Sequence, residues 1–446
     1  MSRFNPVFLF HLITTVLTFF VMLALLLSPS LSQAQDSNLR QEIEKLKVEL
    51  QQLKTEQKQQ NQTLVDELAT LKTESQIPEL GDQTVSNLGL GASKVYFSKS
   101  KVSIGGYGEL TYEDDRLPGS NNTTDMYRFV PYIGYRFNDW IVFNSELEFE
   151  HGGADKNRKG YAIMEFMYMD FLLDEKVNIR VGNYLIPVGL TNLKHEPTYF
   201  GSVLRPTVER NLIPTTWHEN GVLLYGDISE DVSYQAGFFA SPLATATEAS
   251  TANFKPSSWI KDGRQRGAEA KMEDISGVVR VDYAGLPFTD VGFSYVYGDT
   301  SQDVDGLSNL TYSLTEAHFE TRWNGLEWNG LYARGTFSGA GELNYSAGVL
   351  GEVVEGWYTT LTYDTARLIG NNTYQLPVFV RYSEYDLNKE VPTGFARDRS
   401  LAKKITTVGL NYKPHPQVVL KADFEFTDTD AGYEGDFFNL GMGFVF

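Results

Sequence analysis

Apolar and polar residues alternate along most of the last three quarters of the chain. In VVLKADFEFTDTD (residues 418–430), Leu420, Ala422, Phe424 and Phe426 share one face, and Lys421, Asp423, Glu425 and Thr427 share the other. In DMYRFVPYIGYRF (125–137), Tyr127, Phe129, Ile133, Tyr135 and Phe137 oppose Arg128 and Arg136. In WIVFNSELEFEH (140–151), Ile141, Phe143, Leu147 and Phe149 oppose Asn144, Glu146, Glu148 and Glu150. A period of two marks strands with two unlike faces. About sixteen can be placed, beginning near Lys101, Asp125, Trp140, Tyr161, Val177, Glu219, Val232, Ser276, Asp290, Tyr312, Leu326, Glu355, Leu376, Ile405, Val418 and Asp436. Short turns (FNDW, DEK, ISED, GLPFTD, WNGLE, KPHPQ) alternate with long connections at 114–124, 151–160, 187–215, 242–270, 299–311, 338–354, 386–404 and 427–435. This describes an up-and-down meander with two unlike rims.

A soluble sandwich would also alternate, with its apolar face on a second sheet. Here the polar face carries Arg, Glu and Asp on strand after strand, while the apolar face is crowded with Tyr, Phe and Trp. The expected fold is therefore all-β: a transmembrane antiparallel barrel of about sixteen strands over residues 101–446, with lipid outside and a polar lumen within. In the last run, DFFNLGMGFVF (436–446), even positions would face lipid and Asn439, Gly441 and Gly443 the lumen. That strand must pair with the first, because an open edge in lipid leaves backbone groups unsatisfied.

The first hundred residues follow other periods. Residues 1–34 hold one charge, Arg3, then a long apolar run, and Ser32-Gln33-Ala34 fits a cleavage site; this predicts a secretory signal peptide. Over 36–75, Leu39, Ile43, Leu46, Leu50 and Leu53 step by four and three, and the frame continues through Gln57 and Gln60 to Leu64, Glu67 and Leu71. This heptad seam predicts an α-helical coiled coil, about 55 Å long at 1.5 Å per residue, that associates with copies of itself. Pro78, Gly81, Gly89 and Gly91 then suggest a linker over 76–100.

Composition fits this division. The 446 residues include 25 Tyr, 28 Phe and 39 Gly, a strand-like bias, yet mean hydropathy is only −0.28 because lumen and loops are wet. There is no Cys, which excludes disulfides and thiol chemistry. Net charge is −19, or −20 once Arg3 is removed, so nucleic acid is not an expected partner.

The N-terminal coiled coil, VSIGGYGEL (102–110), the sixteen-strand pattern and the terminal Phe446 together resemble trimeric outer-membrane porins. Most similar is the phosphate-selective porin group, with its coiled-coil-bearing, dicarboxylate-type relatives. VGNYLIPVGLTNLKHEPTYF (181–200) followed by ENGVLLYG (219–226) carries this resemblance most specifically. It implies a homotrimer in the outer membrane of a Gram-negative-type bacterium, passing small hydrophilic or anionic solutes. Phe446 resembles the C-terminal signal read by the barrel-assembly machinery, and the coiled coil would lie in the periplasm.

For a pore, selectivity comes from charged side chains at a constriction. The loop from Pro187 to Thr216 is the expected constriction, with Lys194, His195, Arg205 and Arg210, and Glu196 and Glu209 among them. Parity places Arg128, Arg136, Arg180, Arg280, Arg322, Arg334, Arg381, Lys413 and Lys421 in the lumen. It places Glu146, Glu148, Glu150, Asp282, Glu320, Asp423 and Glu425 there too. Many Arg lean toward anion passage, while the acids argue against strict phosphate specificity. The six His (11, 151, 195, 218, 318, 415) form no recognisable nucleophile or metal motif, and His-Glu at 195–196 and 218–219 reads as surface polarity. No enzyme activity, cofactor or metal is expected. The competing reading is a structural or adhesive barrel with a plugged lumen.

Overall fold

A computed structural model describes residues 33–74, 83–117, 119–153, 160–307, 310–343, 345–346, 348–370 and 373–446. The leader expected at 1–34 lies outside these, apart from its last two residues. One uninterrupted helix, α1 (Gln33–Glu74), occupies the heptad region. Its seam residues Leu46, Leu50, Leu53 and Leu64 are all more than half exposed in the single chain. A helix with one narrow apolar stripe gains little from burial on its own.

The remainder is a closed antiparallel barrel of sixteen strands in sequence order. They are β1 (Val102–Asp115), β2 (Thr123–Arg136), β3 (Ile141–Glu150), β4 (Ala162–Leu172), β5 (Asn178–Leu185), β6 (His218–Ser229), β7 (Val232–Ala240) and β8 (Ile275–Leu286). β9 (Thr289–Asp299), β10 (Thr311–Trp323), β11 (Leu326–Phe337), β12 (Val353–Asp364), β13 (Pro377–Glu390), β14 (Ala402–His415), β15 (Val418–Thr429) and β16 (Gly432–Val445) complete it. β16 pairs with β1 from Tyr107↔Val445 to Asp115↔Phe437, and Phe446 exchanges both backbone hydrogen bonds with Gly106. No sheet edge is left unpaired, as lipid requires. Leu420, Phe424, Phe426, Leu440 and Met442 point outward, whereas Lys421, Asp423 and Asn439 are buried inside.

Two connections depart from expectation. The β15–β16 link is a tight turn at 430–431, not a long loop over 427–435, because the polar run Thr427, Asp428, Thr429 continues the strand beyond its apolar stretch. Conversely, β12 and β13 are joined on the rim of short turns by residues 365–376, which include a 3-10 turn at Thr365–Ile369.

The stretch expected to be a linker is not one throughout. Residues 83–89 and a second helix, α2 (Leu90–Phe97), lie inside the barrel near the rim of short turns, with Gly91 to Tyr96 all buried. The lumen is also less polar than alternation suggested. Tyr107, Tyr132, Phe166, Trp217, Phe239, Trp259, Tyr312, Phe337 and Tyr358 form one buried apolar cluster with α2 and two inward loops.

Candidate functional site

Most charged wall residues face the lumen as parity implies, and many are paired there. The Arg128 guanidinium lies 3.3–3.7 Å from the carboxylates of Glu109, Glu148 and Glu150. Arg180 forks onto Asp170 at 2.8 and 2.9 Å under the ring of Tyr168. Arg280 forks onto Asp282 at 2.8 and 2.9 Å, and Arg322 donates to Glu320 at 2.8 Å. Arg334 is a correction. It shares the outer face of β11 with Trp328 and Tyr332 and pairs at 2.7 Å with Glu355 on the outer face of β12. β11 misleads because its inner positions, Leu331, Ala333 and Gly335, are apolar or small and sit beneath lumen packing; a Cβ on Gly335 would meet the Trp259 ring at 2.3 Å.

The loop 186–217 enters the lumen. At its root Arg280 donates to the Gly189 carbonyl at 2.6 Å, and Glu316 accepts from the Gly189 amide. A short helix within it, α3 (Thr207–Asn211), presents Glu209, which accepts from the amides of Leu190 and Thr191 and from the hydroxyl of Tyr358. Burial raises the pKa of this carboxyl. The loop tip is pinned by wall cations. Lys413 donates to Thr198 O, Lys421 to Phe200 O and Ser202 O, and Arg381 to Ser202 Oγ. Asp423 accepts from the Val203 amide and from Asn439. Glu425 faces inward beside it on β15.

The expected constriction residues lie in this loop but in different surroundings. Lys194 reaches Glu320 at 3.3 Å. Arg205 is buried and donates to Thr215 Oγ1 and His195 O. Arg210 is half-buried on α3. His195 and Glu196 are 2 % and 3 % exposed, so this pair is not surface polarity. Burial and the neighbouring Arg205 push His195 down to about 4. Glu196 Oε1 accepts from the amides of Gly91 and Ala92 at the start of α2, and Leu193 O accepts from Gly89.

α2 bridges the lumen from the opposite direction. Ser86 and Asn87 bond Gln235 and Asp282 on β7 and β8. Asn144 on β3 donates to Ala92 O, Tyr96 donates to Asp170 on β4, and Arg136 donates to Tyr96 O and Ser98 O. A second inward loop, 241–274, adds buried Phe254, Trp259 and Ile260, with Arg264 donating to Lys261 O at 2.9 Å and also to Thr215 O. Both features escaped the sequence reading.

Among the described residues, two cavities of opposite character lie on the rim of short turns. One, of 310 Å³, lies between the loop tip at Thr198–Gly201 and the β10–β14 wall, and is lined by Arg322, Arg367, Arg381 and Lys413 against Glu327 and Asp364. The other, of 220 Å³, is lined by Asp227, Glu230, Asp231, Asp282, Asp290 and Glu320 against Lys194 and Arg280. Net charge thus differs in sign between them.

No protein-family profile matches the chain. A protein of Aquifex aeolicus, described as uncharacterized, is 34% identical over 388 residues, spanning 84% of this chain and 87% of the relative. Among solved structures, a loop-deletion mutant of OmpT, an outer-membrane protein of Vibrio cholerae, aligns with a TM-score of 0.50 at 12% identity, covering 78% of this chain and all of that one. The outer-membrane channel DcaP of Acinetobacter baumannii aligns at 0.46 with 10% identity over 77% of this chain and 97% of its own. The chain therefore belongs to one family with the Aquifex aeolicus protein, and its fold, a closed sixteen-strand barrel, is shared with the Vibrio cholerae outer-membrane protein.

Proposed function

We propose that the protein is an outer-membrane channel for passive diffusion of small hydrophilic solutes, with a modest preference for anions. The observation that carries the preference is the 310 Å³ cavity, where four cationic side chains meet two carboxylates beside the loop tip. Low-dielectric walls focus the field of such a group on a solute beside it. The acidic cavity across the lumen limits the preference to a modest one. Membrane placement is supported by the outward Phe, Leu, Val and Tyr around the wall and by backbone closure at Phe446. Self-association is supported by the open heptad stripe of α1, which would form a coiled coil in the periplasm, and a homotrimer is the number that the porin resemblance implies. No catalytic role is part of this proposal.

Arg322 and Arg367 each expose about half of their side chains and line the cavity. Replacing both with Ala should lower the anion-to-cation permeability ratio about twofold, read as a shifted reversal potential across a salt gradient. An unchanged ratio with intact conductance would move the preference elsewhere. A second reading, a sealed structural barrel, is favoured by one observation: α2 and two loops fill much of the lumen with apolar packing. Conductance separates the two.

A further inference from the structure

The inward surface of β4 carries a residue that strict alternation would place outside. Phe166, Tyr168 and Asp170 are buried within, so Glu165 should point outward beside Met167. Instead the β3–β4 register shifts between Glu146↔Phe166 and Leu147↔Met164, leaving Glu165 without an opposite residue. Such a bulge re-aims one side chain. Glu165 is turned inward and is 1 % exposed.

It meets two other groups there. His195, from the inward loop, sets Nε2 2.9 Å from Glu146 Oε1 and 3.9 Å from Glu165 Oε2. One ligand-capable atom from each of the three lies within 4.8 Å of the other two. The histidine Nδ1 lies 3.0 Å from the Asn192 carbonyl, which can only accept, so Nδ1 carries hydrogen and Nε2 faces the carboxylates. A backbone carbonyl fixing the far nitrogen is the usual support of a metal-binding imidazole. Among the described residues, Glu146 Oε2 and Glu165 Oε2 are buried without a hydrogen-bond partner. Buried oxygens in that condition cost free energy unless a proton or a cation satisfies them. The nearby guanidinium of Arg205 is committed to Thr215 Oγ1 and His195 O.

We propose that Glu146, Glu165 and His195 bind one divalent first-row transition-metal ion, which clamps the inward loop to the β3–β4 wall. Two carboxylates and one imidazole suit zinc, cobalt, manganese or ferrous iron, and ligands about 2.1 Å from such an ion lie about 3–3.5 Å apart. The clamp extends to α2, because Glu196 follows His195 directly and caps that helix.

Cobalt(II) is the probe, since its ligand-field absorption reports coordination directly. The full-length chain, folded in detergent with cobalt chloride, should bind one ion per chain and develop visible bands. Glu165→Gln and His195→Gln should each weaken binding at least about tenfold, while retaining heat-modifiable gel mobility. Wild-type protein that binds no cobalt contradicts the proposal whatever the variants do, and would leave a proton shared between the glutamates. Variants that bind with wild-type affinity overturn it equally, by placing the ion elsewhere.

Discussion

Glu196 Oε1 accepts a hydrogen bond from the Gly91 amide at 2.8 Å, so a loop between β5 and β6 caps a helix that precedes the barrel. The helix has no cap of its own, since Gly89 at its start offers no side chain. The same oxygen accepts from Ala92. Two of the orphan amides at a helix start are satisfied by one buried carboxylate, and burial raises the pKa of that carboxyl. Replacing Glu196 with Ala should leave these amides unpaired at a cost of about 1–3 kcal/mol. Hydrogen exchange at Leu90–Phe97 should then quicken by about tenfold or more, with the barrel amides unchanged. Equal protection in the variant would show that α2 is held by other contacts.

A steric relationship seats the same helix on the wall. A Cβ on Gly134 would lie 2.4 Å from Val95 Cγ2 and 2.6 Å from Val95 Cβ. Gly134→Ala should dislodge α2 and raise channel conductance, and adding Val95→Gly should restore the parental value. Conductance of the single and double variants measures this. A single variant that conducts like the parent would mean that α2 does not obstruct flow.

Lys421 is buried and gives two hydrogen bonds to the loop tip, at 2.8 and 2.9 Å. Lys421→Met keeps the stem and removes both. Bonds to charged groups contribute about 1.5–3 kcal/mol each, so the tip around 198–203 should become accessible to proteolysis while the barrel stays folded. Cleavage no faster than in the parent would place the tip's anchorage on Arg381, Lys413 and Asp423 instead.

Replacing Ile43, Leu46, Leu50 and Leu53 with Ser should weaken self-association of the detergent-solubilised protein. Mass measurement on native complexes reads the outcome. A truncation that tests the same point must retain Val85–Phe97, because those residues belong to the lumen and not to a linker. A chain beginning at Gln83 that remains fully oligomeric would make α1 a spacer.

The barrel was legible because one rule recurs from strand to strand: outward positions, such as Leu420, Phe424, Leu440 and Met442 on β15 and β16, are apolar and the backbone closes on itself. Strand starts therefore fell within a few residues of their places. The lumen obeys no such rule. Gly89, Gly91 and Ser93 looked like linker residues, but Gly91 is small because Tyr132 and Glu196 approach it; a Cβ there would meet them at 2.9 and 3.0 Å. Glu165 was hidden by its bulge, which breaks the parity by which faces are assigned. Arg334 was misplaced because β11 carries small and apolar residues on its inner face. Arg158, in the connection 151–160, lies outside the described residues. The charges of β13–β15 were visible as a set, but nothing local in sequence revealed that Arg381, Lys413 and Lys421 hold a loop more than two hundred residues away in Lys421's case.

Single-channel recording of the purified wild-type protein in planar bilayers tests the central claim most directly. A diffusion channel gives discrete, long-lived conductance steps, with a reversal potential displaced toward the anion equilibrium value in a potassium chloride gradient. Correctly folded protein that inserts into the bilayer and gives no steps would contradict it, and would make this a sealed structural barrel.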